Sequence, residues 1–255
     1  MGRLKDKVAI ITGGAGGIGR ATASLYAAEG AKVVLVDLDR AALDEAAKSL
    51  NNANVSVIAA DVTKAEDVER YVQETVKRHG RIDIHFSNAG IEGKVSPIVD
   101  YPDEMFDKVM AVNVRGVWLG LKNVMPIMEK NGGGSIIITS SVAGLRGYAG
   151  LSAYVTSKHA VIGLMRTAVM EGTAKGIRVN TINPSPIDTR MMHAIEEGAA
   201  PGQTGEMRAH FESLIPAQRY GTSDEVANLA LFLGSDESRF ISGGVYTVDG
   251  GMTAG

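Results

Sequence analysis

A chain of 255 residues, 45% hydrophobic and 22% charged, has the balance of a globular protein, and its length suits one large α/β domain. A formal net charge of −3 gives no basic footprint for nucleic acid or an anionic membrane, and the absence of cysteine excludes disulfides and thiolate chemistry. The opening MGRLKDKVAIITGG holds an apolar run of only five residues, too short for a signal peptide or membrane span, so a cytoplasmic location is expected.

The predicted elements alternate. Residues 7–12, KVAIIT, form a β-branched run without polar alternation, the pattern of a strand covered on both faces. GGAGGIGRATASLYAAEG opens a helix ending near Gly30, and KVVLVD at 32–37 is a second strand, which makes a βαβ unit with a glycine-rich first turn. A helix over RAALDEAAKSL, a strand over NVSVIAADV, an amphipathic helix closed by Gly80 and a fourth strand over IDIHFSNAG follow. Residues 91–100 read as a loop. From Pro102 helical spacing runs through DEMFDKVMAVNVRGVWLGLKNVMPIMEK, with Pro126 predicting a kink or a break. Strand five is expected at 135–140, a helix from about Ser152 to Ala174, and strand six at 176–183. The segment from Pro184 to Gly221 is cut into apolar patches by Pro and Gly and predicts nothing regular; SDEVANLALFLGS is a capped helix and VYTVDGG a last strand. With no linker or repeat, residues 1–255 read as a single-domain, Rossmann-type α/β fold. Its core is a doubly wound parallel sheet of about seven strands flanked by helices, with a substrate lid at about 187–215.

The turn TGGAGGIG, Thr12 to Gly19, joins a strand to a helix start, where free amides and the positive dipole end suit a pyrophosphate. Gly13 allows the turn, Gly17 the close backbone approach and Gly19 the packing of helix on strand. Asp37 ends strand two, where a carboxylate accepts both hydroxyls of an adenosine ribose and repels a 2′-phosphate. Gly16 stands where an Arg or Lys could have held that phosphate, so NAD(H) is the expected cofactor; Arg40 is the one nearby base that would suit NADP(H). Ile18 and Leu38 adjoin these positions and belong to the same expected site.

Tyr154 and Lys158 stand four apart in a helix-compatible stretch, so both side chains emerge on one face. A phenol titrates near 10, and a neighbouring ammonium is expected to lower that value and make the tyrosine a usable acid–base. Ser141 follows the apolar run SIIIT, where a strand end would present its hydroxyl to the same substrate oxygen. Tyr-x-x-x-Lys pairs are common by themselves; the glycine turn in the same chain is what gives this one weight. The five histidines show no ligand spacing, and no metal site is expected.

Taken together, the turn, the length and the Ser-Tyr-Lys spacing resemble the short-chain dehydrogenase/reductase family, over essentially the whole chain. TGGAGGIG resembles the family's TGxxxGIG turn, Asp61-Val62 its adenine-contacting pair, and SNAG, with Asn88, Ala89 and Gly90, its NNAG segment. Asn113 falls at the Asn of a catalytic tetrad completed by Ser141, Tyr154 and Lys158, and the resemblance gives it a water that links the lysine to solvent. NPSPIDT, with Pro184, Ile187 and Thr189, is similar to the segment that receives the nicotinamide carboxamide, with Ser185 in place of the usual Gly. VDGG at 248–251 resembles an end strand that commonly packs at a tetramer interface.

The resemblance implies oxidation of a secondary alcohol or reduction of the matching ketone, with Tyr154 moving the proton and Lys158 also binding the nicotinamide ribose. The substrate pocket is expected to use Ile91, Glu92, Ser141, Val142, Leu145, Tyr148, Leu151, Met191 and Met192, a mainly apolar set suited to a cyclic or medium-sized ketone. Its IEGK loop at 91–94 resembles that of bacterial cyclic-diketone reductases. A homotetramer acting on a small molecule is expected. The alternatives are a 3-oxoacyl-[acyl-carrier-protein] reductase, whose acidic partner needs a basic surface that Lys175 and the EKNGGG segment barely supply, and a non-catalytic dinucleotide-binding protein.

Overall fold

The computed structural model describes residues 2–254, built on one seven-stranded parallel sheet in the order β3-β2-β1-β4-β5-β6-β7. The strands are β1 (Val8–Thr12), β2 (Lys32–Asp37), β3 (Val55–Ala59), β4 (Ile84–Ser87), β5 (Gly134–Thr139), β6 (Ile177–Pro184) and β7 (Val245–Val248). Successive side chains of a strand point to opposite faces, and here both faces are covered, which is why the interiors of β1 and β2 are unbroken apolar runs. Ile10, Val34, Ile136 and Val179 pack on one face with Tyr71, Val124 and Met165, from α3 (Ala65–His79), α5 (Gly116–Lys130) and α6 (Ser152–Gly172). Ala9, Ile11, Leu35 and Ile137 pack on the other with Tyr26, Leu43 and Leu231, from α1 (Gly17–Ala28), α2 (Arg40–Leu50) and α9 (Ser223–Gly234).

The chain leaves β1 toward β2 and β3, then returns to lay β4 on β1's other side, so the ends of β1 and β4 diverge into a crevice at the switch point. Thr12 ties its two lips together, its hydroxyl accepting from the amides of Asn88 (3.0 Å) and Ala89 (3.1 Å).

Three local outcomes differ from the sequence expectation. The helix from Pro102 is not one regular α-helix: α4 (Asp103–Met110) passes through a π-helical segment, Ala111–Arg115, before α5. Pro126 does not break α5; it lies on the exposed side, where water can take the Lys122 carbonyl that a proline nitrogen cannot bond. The stretch after β6 that predicted nothing regular contains α7 (Arg190–Ala199) and α8 (Thr204–Ser213). Met192 and Ile195 of α7 join a small third cluster with Val142, Ile215, Tyr220 and Met252, against which Phe211 of α8 packs. The expected capped helix is present, α9 opening on a capping box between Thr222 and Glu225. Among the described residues no helix is long and apolar enough to cross a membrane.

Candidate active site

A cavity of about 770 Å³ opens at the carboxyl ends of the strands, bounded below by the glycine turn and above by α7 and α8. The turn is shaped by main-chain constraints. Gly13 has φ +64°, and a Cβ there would lie 2.9 Å from the Ala89 Cα; a Cβ on Gly19 would run into the Gly13 carbonyl oxygen. Helix α1 then begins at an N-cap glycine, Gly16, with no side-chain cap and no acid in its first turn. The Gly16 amide donates to the Gly13 carbonyl at 3.2 Å, while Gly17 and Ile18, the first residues of α1, border the cavity with no side-chain cap on their amides, an arrangement that fits a pyrophosphate.

Asp37 borders the same cavity with its carboxylate already oriented, Oδ2 accepting from the Ala15 amide (3.1 Å) and Oδ1 from the Leu38 amide (2.8 Å). Each oxygen keeps a lone pair for a ribose hydroxyl. Asp39, which the sequence reading missed, lines the cavity beside it and caps α2. Arg40 turns away along α2 and binds Asp44 at 3.0 Å. Leu38, Asp61, Val62, Asn88, Ala89 and Gly90 complete this wall. Asp61 uses one carboxylate oxygen to hold Thr63, at 2.9 Å to its amide and 2.7 Å to its hydroxyl. Thus the residues present fit an adenine dinucleotide.

At the far end the structure brings Ser141, Tyr154 and Lys158 to one surface, from the end of β5 and the first two turns of α6. Lys158 is buried and donates to the Thr139 carbonyl at 2.8 Å, while Thr139 donates to Asn88 at 3.1 Å, so the lysine is locked to the glycine-turn wall. Ser141 donates to the Pro184 carbonyl at 3.3 Å and accepts from the Ala143 amide at 3.1 Å. The Tyr154 hydroxyl points at the Met191 Sδ, 4.0 Å away.

One electrostatic expectation is corrected. Lys158 does not bring the Tyr154 phenol down: its ammonium lies over the ring, 5.4 Å from the centroid, and burial dominates both groups. Tyr154 is half-buried and open to the cavity, yet desolvation pushes its hydroxyl up to about 12, the Ser141 hydroxyl opposing this and the Glu92 carboxylate adding to it. Lys158 is pulled down to about 8 by the same burial.

Asn113 sits in the π segment, buried, and does not border the cavity. Its Oδ1 accepts from the Ile91 amide (2.8 Å) and its Nδ2 donates to the Ile91 carbonyl (2.9 Å) and the Ser157 hydroxyl (3.0 Å). It clamps the loop after β4 to α6. Pro184, Ser185, Ile187 and Thr189 line the cavity as expected, and Ser185 needs no left-handed backbone to replace glycine.

Of the expected substrate wall, Ile91, Val142, Tyr148, Leu151, Met191 and Met192 line the cavity. Leu145 does not; it is 40% exposed on the outside of the short turn after Ser141. Glu92 stands just behind the lining, bound to Arg190 at 3.1 and 3.4 Å. Met252 was missed: the loop after β7 carries it back under Tyr148, whose hydroxyl lies 3.9 Å from its sulfur, and no local pattern marks that return. None of the histidines joins the site. His85 is a buried residue of β4, 3.5 Å from the Tyr71 hydroxyl, and no acid–histidine cluster among the described residues could hold a metal.

A family model described as enoyl-(acyl carrier protein) reductase matches residues 13–253. Levodione reductase of Leifsonia aquatica is 41% identical over 99% of this chain and 96% of its own length. The chain belongs to the short-chain dehydrogenase/reductase family. Within that family, a crystal structure of levodione reductase superposes with a TM-score of 0.95 at 40% identity, covering 98% of both chains. The 3-oxoacyl-[acyl-carrier-protein] reductase of Thermotoga maritima is 38% identical over 98% of this chain and 99% of its own. A short-chain dehydrogenase/reductase is an oxidoreductase on a Rossmann-like sheet, and members of the family generally use NAD(P).

Proposed function

We propose that this protein interconverts a secondary alcohol and a ketone with NAD(H), acting as a cytoplasmic, homotetrameric, single-domain enzyme with α7 and α8 as its substrate lid. The observation that carries the reading is the convergence of Ser141, Tyr154 and Lys158 on the same cavity as the uncapped glycine turn and Asp37. The dinucleotide, when bound, supplies or accepts the hydride. Gly13, Gly16, Gly17, Ile18 and Gly19 shape its phosphate site; Asp37, Leu38, Asp61 and Val62 take the adenosine; Asn88 to Gly90, Pro184, Ile187 and Thr189 take the nicotinamide end. Two carboxylates, Asp37 and Asp39, at the ribose position and Arg40 committed to Asp44 favour NAD(H) over NADP(H).

Ser141 orients the substrate oxygen and Tyr154 exchanges a proton with it. With the phenol near 12, it is protonated at pH 7 and ready to donate to a ketone oxygen. The alcohol-oxidising direction needs the phenolate, so its rate should climb with pH throughout the alkaline assay range. Lys158, near 8, is mostly an ammonium at pH 7 and holds the cofactor ribose. Asn113 supports the set by fixing Ile91 against α6.

The apolar wall of Val142, Leu151, Met191, Met192, Ile195 and Phe211 suits a compact cyclic or medium-sized ketone. A carrier-protein substrate is disfavoured because Lys175, a candidate docking base, is paired with Glu129 at 2.9 Å. The exposed Phe106, Trp118 and Met170, on α4, α5 and α6, support assembly through those helices. The test is NADH and NADPH oxidation with a panel of cyclic ketones: faster NADH turnover is expected, with Asp37→Ala narrowing the preference through KM for NADH. Faster NADPH turnover by the unsubstituted protein would refute the cofactor assignment.

A further inference from the structure

The group facing the Tyr154 hydroxyl is a sulfur. Met191 Sδ lies 4.0 Å from it, where the reading above puts a substrate oxygen. A thioether is a weak acceptor, so a ketone can displace it. The position of Met191 is set from both sides: Arg190 before it is bound to Glu92, and Met192 after it is buried with Ile195, Ile215 and Tyr220. Met191 itself is only half-buried and lines the cavity, so a small solute reaches its sulfur by the substrate's route. With no cysteine, the 11 methionines are the chain's only sulfur.

We propose that Met191 is a site of reversible oxidation, and that its sulfoxide oxygen takes the substrate oxygen's place on Tyr154 and stops turnover. With hydrogen peroxide, a sulfur lone pair attacks one peroxide oxygen, the O–O bond breaks and water leaves; sulfur loses two electrons and peroxide gains them. The product is a polar side chain with a strong acceptor. An S–O bond directed at Tyr154 closes the 4.0 Å separation to an O–H···O hydrogen bond of about 2.5–3.0 Å. The sulfoxide then imitates a ketone that cannot accept hydride. Two epimers form, and only the one aimed at Tyr154 makes the bond; repair needs one reductase per epimer. The inference rests on Tyr154 being the acid–base of the proposed reaction.

The test treats the protein with graded hydrogen peroxide, follows Met191 by peptide mass spectrometry, and measures ketone reduction and NADH binding on the same samples. Turnover is expected to fall in step with the Met191 sulfoxide epimer aimed at Tyr154, the rate left at completion matching the share of the other epimer. NADH binding should persist, and the two methionine sulfoxide reductases should restore the rate. Met191→Leu, compared with its own untreated rate, should resist a dose that halves the parent's rate. Equal inactivation of Met191→Leu, as oxidation of Met252 would cause, overturns the proposal; so does full turnover with Met191 fully oxidised. A crystal structure of the oxidised protein is independent of turnover. A sulfoxide oxygen bonded to the Tyr154 hydroxyl supports the inference even if no ketone is reduced, in which case the functional reading alone has failed; an oxygen turned elsewhere rejects the inference.

Discussion

The lower wall of the cavity, at the ends of β1, β2 and β4, is main chain and carboxylate: uncapped amides at Gly17 and Ile18, the oriented Asp37, and Thr12 tying the two lips. The upper wall, on α7 and α8, is thioether and aromatic side chain, carried on two ten-residue helices over a six-residue cluster. Those helices are held to each other by charge. Asp188 binds His193 (2.9 Å) and Arg208 (3.0 Å), and Arg208 lies over the Tyr220 ring, whose hydroxyl donates to Glu196 at 2.7 Å. Main-chain recognition suits a cofactor that never changes, and it is intolerant of added atoms. Side-chain recognition on short helices can be rebuilt for another substrate without disturbing the sheet.

Substitutions should separate the two walls. The largest effect is expected where they meet: Tyr154→Phe removes the titrating group and should lower turnover by about 10²–10⁴-fold with NADH affinity unchanged, read by single-turnover rates and fluorescence titration. Near wild-type turnover would return the Tyr-Lys pair to a coincidence of spacing. Gly19→Ala tests the lower wall's intolerance. Its methyl meets the Gly13 carbonyl, so a cost of about 1–3 kcal/mol, visible as a lower Tm, should accompany loss of NADH binding.

Beneath the same wall, His85 is buried and held down to about 4 by desolvation, against about 6.5 in an unfolded chain. The folded state therefore binds fewer protons between those values; stability is full above about 6.5 and falls as pH drops toward 4. Urea midpoints should show about 2 kcal/mol less stability at pH 5 than at pH 7.5 from this ring, and His85→Leu should flatten that slope. Arg208→Ala is the mildest: an exposed pair is worth about 1 kcal/mol at most, so Tm should barely move while KM for the ketone rises. A drop in Tm as large as that of Gly19→Ala would show that the upper wall is part of the main core.

The same difference explains what could be read before any coordinates. The lower wall follows from local chemistry: buried runs such as VAIIT make strands, a turn needing positive φ needs Gly13, and an acid ending β2 borders the cavity. The upper wall depends on distant returns. RMMHAIEEGA has the apolar spacing of a helix face at Met192 and Ile195, but Pro and Gly on both sides hide it in a short stretch. Met252 reaches the pocket only because Gly250 and Gly251, both at positive φ, fold the chain back after β7. Leu145 erred the other way, an apolar residue near Ser141 that the turn carries outward. Ammonium proximity suggested a lowered Tyr154, whereas the solvent stripped from the hydroxyl outweighs it.

The π segment at Ala111–Arg115 amounts to one residue more than a continuous α-helix would need. Its widened turn sets Asn113 where it can grip both backbone groups of Ile91 and still reach Ser157. Deleting one residue there would give an unbroken helix with better internal hydrogen bonding, and would swing Asn113 about 100° away from Ile91. The chain would gain a sturdier rod and lose the strut that keeps the β4 loop on α6. A single codon thus separates a helix optimised for itself from one bent to serve its neighbours.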